Sequence, residues 1–197
     1  MEKIYLVRHG QTEWNILRKI QGSKPVPLNE TGRKQAEELG KKLAGLDFSV
    51  IYSSPALRTL ETAKIIAKYH KGVEIIEVPD LVERSFGEFE GKSREELEKI
   101  PGIKEAWKKQ GIDWKPPGGE SIRELNRRVI KAFEKIAEKH KNNKNKILIV
   151  THGGVFKIII LHLKNVSVEC MFDIRTPENC EVVEISWDGE KAIVEYD

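Results

Sequence analysis

The 197-residue sequence predicts an α/β fold, a three-layer α/β/α sandwich with a mostly parallel central sheet. Two observations lead there. Short apolar runs that read as buried strands alternate with longer segments whose apolar residues recur at helical spacing. The runs are continuous, as strands covered on both faces require.

Residues 4–7 form the first run and lead into Arg8-His9-Gly10. Across 29–46, Ala36, Leu39, Leu43 and Leu46 mark one helix face, and Asn29 or Thr31 can cap its start. Residues 48–52 read as a second strand. Pro55 suits a first helical turn, so a helix is expected from there to about 70, with Ala56, Leu60, Ala63, Ile66 and Ala67 as its stripe. A third strand follows at 74–78. Residues 80–120 are less regular and contain Trp107 and Trp114.

Ser121-Ile122-Arg123-Glu124 is a capping box that opens a long helix to about 141. A strand at 146–150 and a helix at 153–164 come next. Strands at 181–187 and 191–196 close the chain around an Asp188-Gly189 turn, a strong hairpin signal. No internal repeat or linker interrupts residues 1–197, so one domain is expected, with 84–120 as a lid over the strand ends.

Composition narrows the function classes. Charged residues make up 33% of the chain, but 34 basic side chains nearly cancel 31 acidic ones, leaving +3. Lys139, Lys141, Lys144 and Lys146 form one modest basic run that reads as a solvated loop, so no nucleic-acid partner is expected. No apolar run approaches the roughly 20 residues that span a bilayer, and no cleavable leader is recognisable, so a cytoplasmic protein without a membrane partner is expected. Cys170 and Cys180 lack metal-finger spacing; a reduced pair is the default, with one disulfide left open.

Three groups with chemical potential stand where strands stop. Arg8 and His9 end the first strand, Ser53 and Ser54 follow the second with Arg58 one turn onward, and Thr151 and His152 end the fourth. Parallel strands would bring two Arg and two His to one edge, where open α/β sheets bind ligands. The helix beginning at Gly153 would add free N–H groups and the positive end of its dipole. Such a pocket suits a dianion, although each residue taken alone also has an ordinary structural or solvated reading.

Arg8-His9-Gly10-Gln11-Thr12-Glu13-Trp14-Asn15 resembles the signature of the histidine phosphatase superfamily, which includes cofactor-dependent phosphoglycerate mutases. Further matching segments follow in the family's order. These are Leu28-Asn29-Glu30-Thr31-Gly32, Ser53-Ser54-Pro55-Ala56-Leu57-Arg58-Thr59, Leu81-Val82-Glu83, Gly118-Gly119-Glu120-Ser121 and Val150-Thr151-His152-Gly153-Gly154. The resemblance implies that His9 becomes phosphorylated. It further implies that Arg8, Arg58 and His152 bind the phosphate, Asn15 adds a polar contact, and Glu83 is the general acid. Glu88 and Glu90 are rival carboxylates nearby, read as ordinary loop residues.

The chemistry is self-consistent. Phosphoryl transfer needs positioning and charge stabilisation, which arginine forks supply, so no metal or cofactor is required. Neighbouring arginines favour the neutral, nucleophilic form of His9. Mutases of the family usually carry Glu-Arg-His-Tyr-Gly after the acid, and a longer insertion beyond it. This chain has Glu83-Arg84-Ser85-Phe86-Gly87 and a short stretch over 92–119, departures that favour a phosphatase of small phosphorylated metabolites. A mutase remains the alternative, and a catalytically silent phospho-ligand binder the remote one. Aromatics over 86–114 either pack the lid or touch substrate, with packing preferred. A homodimer through the C-terminal strand edge is left open.

Overall fold

In the computed structural model, which describes residues 2–141, 146–188 and 192–196, the alternation of strands and helices is realised. The elements run β1 (Glu2–Arg8), α1 (Glu13–Ile16), α2 (Glu30–Leu43), β2 (Phe48–Ser53), α3 (Leu57–Ala67), β3 (Glu74–Glu77), α4 (Arg94–Glu98) and α5 (Ile103–Gln110). Then come α6 (Ile122–His140), β4 (Lys146–Thr151), α7 (Gly153–Leu163), β5 (Val182–Trp187) and β6 (Ala192–Tyr196). Among the described residues the six strands form one sheet in the order β3-β2-β4-β1-β5-β6. The first four strands in that order are mutually parallel, and β5 and β6 are added antiparallel. The sheet is therefore mostly parallel, as expected.

Side chains alternate across a strand, and here both faces are covered. Leu39 and Leu43 of α2 and Ala63 and Ile66 of α3 pack on Val7, Ile51, Leu148 and Val150. On the other face, α6 and α7 pack Val129, Phe133, Ile158 and others against Ile4, Leu6, Ile147 and Ile149. Neighbouring strands β1 and β4 thus send their following helices to opposite faces. Their loops part at the carboxyl edge and leave a cleft there.

Local signals explain the helix starts. The Asn29 side chain accepts the Gly32 N–H at 2.8 Å, so Asn29 rather than Thr31 caps α2. The Ser121 hydroxyl accepts from Glu124 N at 3.1 Å, and the Glu124 carboxylate accepts from Ser121 N at 2.8 Å, completing the box of α6. The expected start of α3 needs correction. Pro55 lies two residues before the first helical residue, and Ala56 is the cap. The Ser54 hydroxyl accepts from Ala56 N, so the turn is held by Ser54 and the proline rigidifies it. The stripe also differs: Arg58, Thr59 and Thr62 are buried beside Ala63 and Ile66, while Ala56 and Leu60 are only half-buried.

Residues 84–120 carry α4, α5 and a small apolar cluster of their own. Phe89, Leu97, Ile103 and Trp114 are buried there, with Phe86 and Trp107 packed against them. Strands β5 and β6 pair antiparallel as the hairpin signal implied, but Gly189 of the expected turn lies outside the described residues, as does Lys144 of the basic run. Cys170 and Cys180 are unpaired. No described helix is long and apolar enough to cross a membrane.

Candidate active site

The carboxyl ends of β1 and β4 and the start of α3 bring the sequence-identified residues together. Arg8, His9, Asn15, Arg58, Glu83 and Gly153 all line one cavity of about 980 Å³. His152 is buried behind it, its ring centroid 5.4 Å from that of His9 in an edge-on arrangement.

His9 is 3% exposed and follows β1, its backbone N–H donating to Thr151 O. Its ring Nδ1 donates to Gly10 O at 2.7 Å, which leaves the lone pair of the neutral ring on Nε2. That lone pair faces Arg58, whose Nε donates to it at 3.3 Å. Burial, then Arg58 and Arg8, push the His9 pKa well below its ordinary value, and the Gly10 bond only partly opposes this. The imidazole is therefore neutral across the physiological range.

Arg58 is 1% exposed, far from the solvated fate of most first-turn arginines. Its Nη1 donates to Lys24 O and its Nη2 to Gly22 O, at 3.0 and 2.8 Å. Burial lowers its pKa to about 10, with Glu83 opposing, so it stays a cation. Arg8 anchors one nitrogen on Pro177 O at 2.5 Å, while its buried Nε has no partner. His152 is held by Ser54, whose hydroxyl lies 2.8 Å from Nε2. That hydroxyl can donate to Nε2, an arrangement that keeps the ring proton on Nδ1, a buried atom without a partner. Unpaired buried donors are costly unless a ligand takes them, and here two stand beside one imidazole.

Glu83 is fixed by backbone. Its Oε2 accepts from Gly154 N and its Oε1 from Arg84 N, both at 2.9 Å. Gly154 is the second residue of α7, so the carboxylate takes one of the N–H groups that a helix start leaves unpaired. The rival carboxylates are placed differently. Glu88 is exposed. Glu90 is no plain loop residue: it accepts from Ser23 N at 2.9 Å and Phe86 N at 3.0 Å, tying the 22–24 turn to the 84–120 segment. Phe86 and Trp107 pack in the apolar cluster, the preferred reading, and also line the cavity. Among the described residues, no three His, Cys, Asp or Glu side chains gather to hold a metal ion.

Across residues 4–196 the chain matches the family model for the histidine phosphatase superfamily, branch 1. It belongs to that superfamily. A metal-independent phosphoserine phosphatase of Arabidopsis thaliana is 42% identical over 168 residues, covering 84% of this chain and 70% of that protein. A phosphoglycerate mutase-like protein 4 of the same plant is 40% identical over 158 residues, covering 79% of this chain and 68% of that one. Among solved structures, Bacillus stearothermophilus YhfR superposes with a TM-score of 0.89 at 31% identity, covering 100% of this chain and 96% of that one.

The geometry adds residues to this histidine phosphatase that sequence reasoning missed. Asn179 donates to His9 O at 3.0 Å and to Asn15 Oδ1 at 3.4 Å, joining the His9 loop to α1. Arg128 of α6 donates to Val82 O and Glu83 O at 2.8 and 3.2 Å, and grips Glu120 with two bonds of 2.8 Å. Both act over long sequence separations that no local pattern signals. Lys157, one turn into α7, is buried and lines the cavity. A single ionisable residue inside the apolar stretch 155–161 is the signal the sequence carries for it.

Proposed function

We propose that this chain hydrolyses phosphate monoesters of small metabolites through a phosphohistidine on His9, with Glu83 as the proton donor. The observation that carries the reading is the His9 ring itself. Its Nδ1 is committed to Gly10 O, so the lone pair sits on Nε2, where it accepts from Arg58 Nε and must exchange that bond for phosphorus when a substrate binds.

In the reaction, Nε2 of His9 bonds to phosphorus as the ester P–O bond breaks. The developing charge on the phosphoryl oxygens falls to Arg8, Arg58 and His152 Nδ1–H, with Asn15 and the Gly153 N–H at the same site. Glu83 gives its proton to the leaving alcohol. Water then attacks the phosphohistidine, Glu83 takes the water's proton, and His9 returns to neutral imidazole as phosphate departs. Residues 84–120 act as a lid on a single domain of residues 1–197, tied at Glu90 and screening the reaction from bulk water. The phosphoserine phosphatase activity named for the Arabidopsis relative supports hydrolysis. Arg84 is anchored on Glu120 O and Trp114 O and stacks on Phe86, so it helps hold the 84–120 segment over the cavity.

Rapid quench with labelled substrate is the test. The expected adduct is acid-labile, base-stable and missing from His9→Ala, and turnover persists in excess EDTA. Label on a serine or aspartate, or activity lost to EDTA and restored by added metal, would defeat the proposal. So would phosphoglycerate interconversion that outruns hydrolysis of every ester tried.

A further inference from the structure

Lys157 has no part in the chemistry above, yet it is 8% exposed and lines the same cavity as His9. Its neighbours on α7, Phe156, Ile158, Ile159 and Ile160, are all buried and apolar. Burying an ammonium among such residues is costly unless it is paired. Among the described residues, however, Lys157 makes neither a hydrogen bond nor an ion pair. The other buried cations of the cavity are engaged: Arg58 by Gly22 O and Lys24 O, and Arg84 by Glu120 O and Trp114 O.

Its position limits what it can meet. Lys157 lies about one helical turn, roughly 5–6 Å, beyond Gly153. Helical side chains lean toward the N-terminus, so its stem points back to the turn where Gly154 holds Glu83. Burial pushes its pKa down, while the charges of Glu83 and Asp173 pull the other way. The cavity wall around it carries Met171 and Phe172.

We infer that Lys157 reads a carboxylate on the alcohol part of the substrate, a few bonds from the ester oxygen, so that the preferred substrates are short phosphorylated hydroxy acids. This rests on the phosphatase reading. The ammonium stands beside the residue that serves the ester oxygen, which sets the short spacing. One ammonium, already under the charges of Glu83 and Asp173, matches a singly charged group better than a second phosphate, which would need several donors.

The test compares 3-phosphoglycerate with glycerol 3-phosphate, which share a three-carbon skeleton and differ in one terminal group, carboxylate against hydroxymethyl. The quantity read is the ratio of their kcat/KM values. Wild type should favour the acid, and Lys157→Gln should lower the ratio roughly 10- to 100-fold, the range of one charged hydrogen bond. Lys157→Arg should restore most of it. Lys157→Met, which keeps the packed stem, should behave like the glutamine variant and guards against a folding failure. A merely structural lysine would slow both esters alike. An unchanged ratio in the variants, or no wild-type preference for the acid, would overturn the inference while leaving the phosphatase reading intact. Wild type inert on both esters and on p-nitrophenyl phosphate would overturn both.

Discussion

At the scale of single residues, the two sides of the reaction are held by opposite means. His9 is set by a bond at each ring nitrogen, to Gly10 O and from Arg58, and by cations that keep it neutral. Glu83 is set by two backbone N–H groups from different segments. Its proposed role depends on the leaving group. An alkyl alkoxide needs a proton, whereas p-nitrophenolate hardly does. Glu83→Gln should slow the phosphorylation burst with an alkyl phosphate by about 10²–10⁴-fold, the usual span of general acid catalysis. With p-nitrophenyl phosphate the loss should be much smaller. Glu88→Gln is the control, since Glu88 is exposed. Equal slowing of both bursts, or leaving-group dependence in the control, would move the role away from Glu83.

Among the elements, the start of α7 bears directly on the proposed acid. A Cβ built at Gly154 would lie 2.4 Å from Glu83 Oε1 and 3.2 Å from its Cδ. The atoms in the way end a flexible side chain, so Gly154→Ala should fold well, with helix propensity in its favour by up to about 1 kcal/mol. The displaced carboxylate should nevertheless cut turnover of alkyl phosphates by on the order of 10²-fold. Denaturant melts and burst kinetics on one sample separate the two effects; a stable variant with wild-type bursts would show that Glu83 need not sit where α7 holds it. The same elements show what was legible. Helix α6 was readable because its period holds for 19 residues behind a capping box. The stripe of helix α3 was only partly legible, because Thr59 and Thr62 turn inward beside Arg58 and satisfy their hydroxyls on Ser54 O and Arg58 O. His9 and His152 stood out as strand ends. Asn179 and Arg128 did not, since their partners lie far away in sequence and no periodicity or motif connects them.

For the molecule as a whole, buried histidines couple folding to pH. His9, His70, His140 and His152 all have pKa values lowered by burial, the first and last also by neighbouring arginines. In the unfolded chain each titrates near 6.5. Below that pH the unfolded state gains protons that the native state refuses, so stability present above pH 6.5 is lost as the pH falls. Each histidine adds at most about 1.4 kcal/mol per pH unit to that slope. Denaturant midpoints should therefore drop between pH 7.5 and 5, above the range where most carboxylates titrate. Lys139 is the charge that faces His140, and Asp47 faces His70. The double variant His70→Gln, His140→Gln should flatten the profile; a wild-type profile already flat would contradict the argument.

The bond from Asn179 to the carbonyl of His9 spans 170 positions of chain, and this bears on how the enzyme comes into being. Closing so long a loop is entropically late. The pocket is therefore finished by the last segment to dock, after the helices have formed. In refolding from denaturant, helical ellipticity should recover ahead of hydrolytic activity, and Asn179→Ala should widen that delay. Recovery of both signals in a single shared phase would mean that the nucleophile loop reaches its working shape before the strand that follows Asn179 arrives.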